Sequence, residues 1–173
     1  MVVDPHAAQL FIAGYKSVLT EVHKLSYGKP QKEIIRLLSI ARNAAVEAPS
    51  LIDAAVTSLR ANGNIVDPVV LRAIKTLMVK QWVFLRDTKT YSIFIDIAGK
   101  DAFAVLGLTD RIQEIVGGSG NIFRSGLVSY QGRYVCDGII EDLVWLGTGI
   151  KKDFSSEFAH IKKSGRFHTL SAP

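Results

Sequence analysis

At 173 residues, with one cysteine and a formal charge of +5, the chain is long enough to bury a core of its own and has no internal disulfide framework. A hydrophobic fraction of 48% and a mean hydropathy of +0.21 are apolar for a domain of this size, as in a chain that covers part of its surface by forming a homo-oligomer, yet no apolar run nears the roughly 18 residues of a membrane span. Asp4, Pro5, His6 and Gln9 interrupt the start and no lysine precedes Lys16, so an export signal is not expected and a soluble, cytoplasmic protein is.

The first helix is predicted from Phe11, Tyr15, Val18, Leu19, Val22 and Leu25, which fall on one stripe at helical spacing and stop near Tyr27-Gly28. Pro30 suits the first turn of a second helix that turns Ile34, Leu37, Leu38, Ala41 and Ala45 inward and ends at Pro49. Ser50 and Asp53 have the spacing of a capping box for a third helix with Ile52, Ala55, Val56 and Leu59 on its apolar face, closed by Asn62-Gly63-Asn64. Asp67-Pro68 caps a fourth, burying Val70, Leu71, Ile74, Leu77 and Met78.

Near Lys80 the apolar period changes from 3.6 to 2. Strands are predicted over 82–86, 91–97 and 102–106, joined by the polar link 87–90 and the turn 98–101. Asp110 with Gln113 caps a short helix that Gly117-Gly118 ends. Three more strands follow near 122–130, 133–140 and 143–146, with Gly126 and Gly138 read as bulges. A last helix over 154–164 stops at Gly165, and a loose tail is expected beyond Phe167. The class is α+β: a bundle of about four helices over 1–80, then an antiparallel sheet of about six strands with two helices over 81–173, the two able to pack as one domain.

No motif specifies a reaction, and the first reading is a non-enzymatic binding or interaction protein with no cofactor. Three helices followed by a hairpin match the element order of a winged helix-turn-helix module; the fourth helix would then offer Arg72, Lys75 and Thr76 to nucleic acid, with Arg86 and Lys89 on the hairpin. The positive charge agrees with that alternative, although the basic residues are scattered and Asp87 sits in the hairpin link. A further alternative, a small hydrolase or transferase, would draw on strand-end carboxylates, Asp96, Asp110 and Asp137 among them, and on Cys136. A strand cysteine is more often a small buried hydrophobe, and strand-end carboxylates more often make turns and caps. His6, His23, His160 and His168 lack ligand spacing, so no metal site is expected. Gly117-Gly118-Ser119-Gly120 leaves a helix for a strand and carries no lysine, the wrong context for a phosphate loop.

Overall fold

The computed structural model describes residues 1–29, 31–98 and 100–171. Asp4 accepts the N–H bonds of His6 and Ala7 and so starts α1 (Pro5–Tyr27), which ends on left-handed Gly28. Its predicted stripe is buried from Phe11 to Val22, while Leu25 is exposed near the end of the helix. α2 (Ile34–Glu47) and α3 (Ser50–Ala61) pack across α1. The expected role of Pro30 lies outside the described residues, and α2 begins only at Ile34. The Ser50–Asp53 capping box does not form: Pro49 holds the cap position without a side-chain bond, and Asp53 pairs with Lys75 at 2.6 Å. Asp67 does cap α4 (Pro68–Lys75), accepting from the N–H groups of Val69 and Val70.

The strands are β1 (Met78–Asp87), β2 (Ser92–Asp96), β3 (Ala102–Leu106), β4 (Asn121–Tyr130), β5 (Arg133–Cys136), β6 (Glu141–Trp145) and β7 (Phe167–His168), with α5 (Ile112–Val116) and α6 (Thr148–Lys163) between them. Four helices thus precede a mostly antiparallel sheet carrying two more, and the change from helix to strand falls between Lys75 and Met78. Met78 belongs to β1 rather than to the helix before it.

The sheet is more than a stack of hairpins. β1 pairs with β2, β2 with β3, β3 with β5, β5 with β4, and β4 returns to β1 through Met78↔Leu127 to Phe84↔Asn121. These five strands close a barrel around Trp82, Phe84, Phe94, Val105, Phe123, Leu127 and Cys136, with Ile112 and Val116 of α5 packed into the same cluster. The rings of Phe94 meet those of Phe84 and Phe123 edge-on, and Trp82 meets Phe103 likewise; each such pair adds about 0.5–1.5 kcal/mol beyond its burial. The closure makes β3 and β5 parallel neighbours, which an all-antiparallel reading does not contain. β7 is also parallel to β3, through Ala102↔Phe167 and Phe103↔His168.

Both outer faces of the barrel are covered. α6 lays Phe158 and Ile161 against Val83, Leu85, Ile93, Ile95 and Ala102, while the helical bundle packs on Val128, Tyr130, Val135 and Ile139. Strands buried on two sides carry near-continuous apolar runs, so their alternation is muted in the sequence. β6 extends beside the first half of β4, leaving Leu143, Val144 and Trp145 exposed on a strand that pairs only with β4 among the described residues.

Three local expectations are corrected. Gly126 sits in regular register opposite Val79 and is no bulge; an added Cβ there would collide with the Asp137 carboxylate and with Leu77. α6 starts at Thr148 rather than near 154, because its first six residues are mostly polar or glycine and conceal the helical period. The tail is tied down: Phe167 and His168 pair with β3, and the Ser171 N–H donates to the Gly132 carbonyl at 3.2 Å.

Candidate ligand cleft and the buried ion network

α4 ends three residues before β1 begins, which sets its C-terminal turn beside the far end of β4. The Ser129 N–H donates to Thr76 Oγ1 at 2.7 Å and ties the two together. Between them runs a cleft of about 480 Å³, walled on one side by Val69, Arg72, Ala73, Lys75 and Thr76 and on the other by Ser129, Gln131 and Gly132. That size is within the range of small-molecule sites, about 300–1,000 Å³. Val69, Ala73 and the aliphatic stems make its walls largely apolar, and cationic heads stand at its rim. Arg72 is exposed and makes no hydrogen bond or ion pair among the described residues, whereas Lys75 pairs with exposed Asp53, a surface contact of little net strength that a ligand can displace.

The opposite wall is a two-residue hairpin turn. Tyr130 pairs with Arg133, and the intervening Gln131 and Gly132 both have left-handed backbones, φ 51° and 71°, the geometry of a type I′ turn. From there the barrel register leads across to the β1–β2 loop: Tyr134 is beside Val105, and Val105 beside Ser92. Two inter-strand steps amount to about 10 Å. Arg86 and Lys89 are exposed near and beyond the end of β1, at the end of that strand opposite to the one that joins α4 and adjoins the end of β4. Asp87, the acid in that loop, is engaged by the Ser92 hydroxyl at 2.7 Å. The hairpin carrying Arg86 and Lys89 is no free-standing wing, since β1 is bonded to β4 along most of its length and to β2 over the rest.

The predicted catalytic candidates divide. Asp96 ends β2, where Lys80 Nζ donates to it at 2.8 Å and the Ala98 N–H at 3.0 Å; burial would raise its pKa, but these donors outweigh it and hold the carboxyl below its ordinary value. Asp110 is not the helix cap: Arg111 takes that position, its N–H donating to Glu114, and Asp110 accepts from the Thr109 hydroxyl. Asp110, Cys136 and Asp137 line one further cleft of about 290 Å³ together with Gly138, and Asp96 is not part of it. Cys136 nevertheless points into the barrel, 3.6 Å from Ser125 Oγ, and burial followed by the nearby Asp137 charge pushes its thiol up to about 12. No thiolate forms there near neutral pH.

Asp137 turns the other way, into the joint between barrel and bundle. Its carboxylate accepts from Arg42 Nη1 (3.0 Å), the Tyr15 hydroxyl (3.0 Å), the Ile139 N–H (3.0 Å) and the Gly126 N–H (3.2 Å). Arg42 is 0% exposed and also donates to the Ile139 carbonyl at 2.8 Å and to Glu141, which meets Ser39 and Arg124 as well. Burial pushes Asp137 up from the ordinary carboxylate range while Arg42 and the surrounding donors pull it back; burial likewise keeps the Tyr15 hydroxyl protonated as a donor. With every acceptor direction occupied, Asp137 is a structural anion rather than a free base. Sequence reasoning missed Arg42, although it lies inside the apolar stripe of α2, four residues after Leu38 and three before Ala45.

The remaining groups take structural roles. Asn121 Nδ2 donates to the carbonyls of Val116 and Gly118, and Trp145 lies over Gly117 and Gly118, so the glycine-rich segment is a packed connection. His168 Nε2 is 2.8 Å from Asp101 and its ring stacks on Phe103. Among the described residues no cluster of three or more histidines, cysteines or carboxylates could hold a metal ion, and no helix is long and apolar enough to cross a membrane. Comparison with protein-family models, with curated proteins and with solved structures finds no match for this chain.

Proposed function

We propose that this is a non-enzymatic binding protein whose ligand is single-stranded nucleic acid, held along the barrel surface from the α4 cleft toward the β1–β2 loop. The observation that carries the reading is the pair of exposed cations Arg72 and Lys75 on the wall of a largely apolar cleft large enough for a nucleobase, with exposed Arg86 and Lys89 further along the barrel at the far end of β1. Phosphates need spaced, unburied cations, and unstacked bases need apolar slots. The architecture supports it by analogy. A five-stranded Greek-key barrel is the form of the oligonucleotide- and oligosaccharide-binding fold, whose ligands engage the loops between strands 1 and 2 and between strands 4 and 5. Fold alone does not fix function, so the argument rests on the residues. A major-groove reading by α4 is weaker, because the hairpin that would flank it is bonded into the barrel.

Fluorescence anisotropy of a labelled 20-nucleotide single strand tests the proposal. Binding at 50 mM salt should weaken steeply by 200 mM, and removing two phosphate contacts in Arg72→Ala/Lys75→Ala should flatten the slope of log K against log salt by about 1.4. No binding at low salt, or an unchanged slope in the double variant, overturns it; tighter binding to duplex would favour the winged-helix alternative. Self-association is a second reading, supported by the exposed Leu143, Val144 and Trp145 on edge strand β6. Sedimentation that finds a monomer at all concentrations excludes it.

A further inference from the structure

At one end the helical bundle is both apolar and basic. Tyr15 and Arg42 meet on Asp137, and from there α1 runs on to Tyr27 while α2 leads back to Ile34, about 18 and 12 Å along their axes, so both helices end at one tip. Leu25 continues the apolar stripe of Val18 and Val22, and Ile34 that of Leu38 and Ala41, yet at the tip they are 47% and 44% exposed. Tyr27 and Ile35 stand out further, at 53% and 63%. Single exposed apolar residues are ordinary, but four on two adjoining helix ends make a patch. Around them Lys29, Lys32 and Arg36 are exposed and make no hydrogen bond or ion pair among the described residues, while Lys24 meets Glu21 at 3.3 Å. Glu33 is the one acid between residues 24 and 36.

We infer that this tip docks on an anionic lipid bilayer, with its cations among the headgroups and its apolar side chains at the acyl boundary. Charge complementarity and apolar insertion are the two signals that hold a protein on such a surface, and each cation near a negative leaflet adds roughly fivefold to the affinity. Nucleic acid fits the tip less well, since three of the four apolar side chains are aliphatic and give a base no ring to stack on. An uncharged protein surface would leave the surrounding cations unanswered. Docking of this kind needs no spanning helix, and among the described residues there is none. The α4 cleft lies at the other end of the bundle: Lys75 pairs with Asp53 in the first turn of α3, whereas the last turns of α3 lead toward the tip, with Ser58 bonded to Glu21 at 2.7 Å.

The test is co-sedimentation of the full chain with vesicles of phosphatidylcholine alone and of phosphatidylcholine with about 30% phosphatidylserine. The wild type should bind the anionic vesicles at least tenfold more tightly than the neutral ones. Lys29→Ala/Lys32→Ala should weaken that binding about 25-fold and Leu25→Gln/Ile35→Gln about tenfold, with Arg72→Ala/Lys75→Ala within about twofold of wild type. The four tip residues replaced are exposed and glutamine is a good helix former, so both tip variants should melt close to the wild type and keep its affinity for the single strand. No binding to anionic vesicles, equal binding to both compositions, or binding that survives either tip variant overturns the inference, as does an equal loss in Arg72→Ala/Lys75→Ala. None of these results touches the single-strand reading, which stands or falls by the oligonucleotide.

Discussion

Replacing Arg42 by alanine should be among the most damaging single substitutions in this chain. The guanidinium is fully buried and is, among the described residues, the only positively charged partner of the Asp137 carboxylate, to which it donates at 3.0 and 3.3 Å; it also satisfies the Ile139 carbonyl at 2.8 Å and one oxygen of Glu141. Without it Asp137 keeps three neutral donors, from Tyr15, Gly126 and Ile139, around an anion shut away from water. Breaking one side of such a pair costs about 3–5 kcal/mol. Taking a urea m-value of about 2 kcal/mol/M for a chain of this size, the unfolding midpoint should fall by about 1.5–2.5 M. Trp82, at 0% exposure in the barrel core, gives the fluorescence readout. Arg42→Met/Asp137→Asn removes both charges, and an asparagine Oδ1 can still accept the Gly126 and Ile139 N–H groups, so the double variant should lose only about 1–2 kcal/mol, less than Arg42→Ala alone. Tyr15→Phe, which removes one neutral donor, should cost about 1 kcal/mol. A midpoint shift under about 0.5 M for Arg42→Ala would refute the view that this network joins bundle to barrel.

Two further outcomes follow from the same side chains. With its pKa pushed up to about 12 and no solvent exposure, Cys136 should fail to react with a disulfide reagent in the native protein at pH 8 and react with one equivalent after unfolding; fast native labelling would show that the barrel opens. Glu141 is held below its ordinary value, since the Ser39 hydroxyl, Arg42 and Arg124 together outweigh the effect of burial. A folded-state pKa depressed in this way contributes stability that is present above the unfolded value of about 4.5 and is lost as pH falls through the folded one. Glu141→Gln should therefore flatten the acid limb of stability against pH below about 4.5, and an unchanged limb there would show that other carboxylates, such as Asp96 with Lys80, account for it.

Where periodicity and caps act locally, the sequence was readable. Asp4 and Asp67 cap helices, and Phe11, Tyr15, Val18, Leu19 and Val22 form the buried stripe their spacing implies. Closure of the barrel was not readable, because it depends on β1 meeting β4 about forty residues away, and strand pairing at that separation leaves no local mark beyond apolar runs buried on both faces. Asp110 and Ser50 misled for a related reason: capping residue types at the right spacing do not show which backbone N–H groups will be free, and Arg111 and Pro49 hold those positions.

The two polar features, the buried ion network and the α4 cleft, have opposite relations to their surroundings: one is enclosed by the chain and the other is open to solvent. Arg42 and Asp137 sit where α2 meets the bend between β5 and β6, and both oxygens of the Asp137 carboxylate accept hydrogen bonds from the chain, while among the described residues the buried Arg42 Nε has no partner. The absence of a Cβ at Gly126 makes room for that carboxylate, so glycine at that position is explained wholly by internal packing. At the α4 cleft the balance is reversed. Among the described residues Arg72 has no hydrogen-bond or ion-pair partner, Lys75 pairs with exposed Asp53, and Gln131 keeps a backbone its residue type disfavours. These exposed groups are hydrated in the free chain and add little to its stability, so single-strand binding requires only that a ligand's phosphates replace water at Arg72 and Lys75.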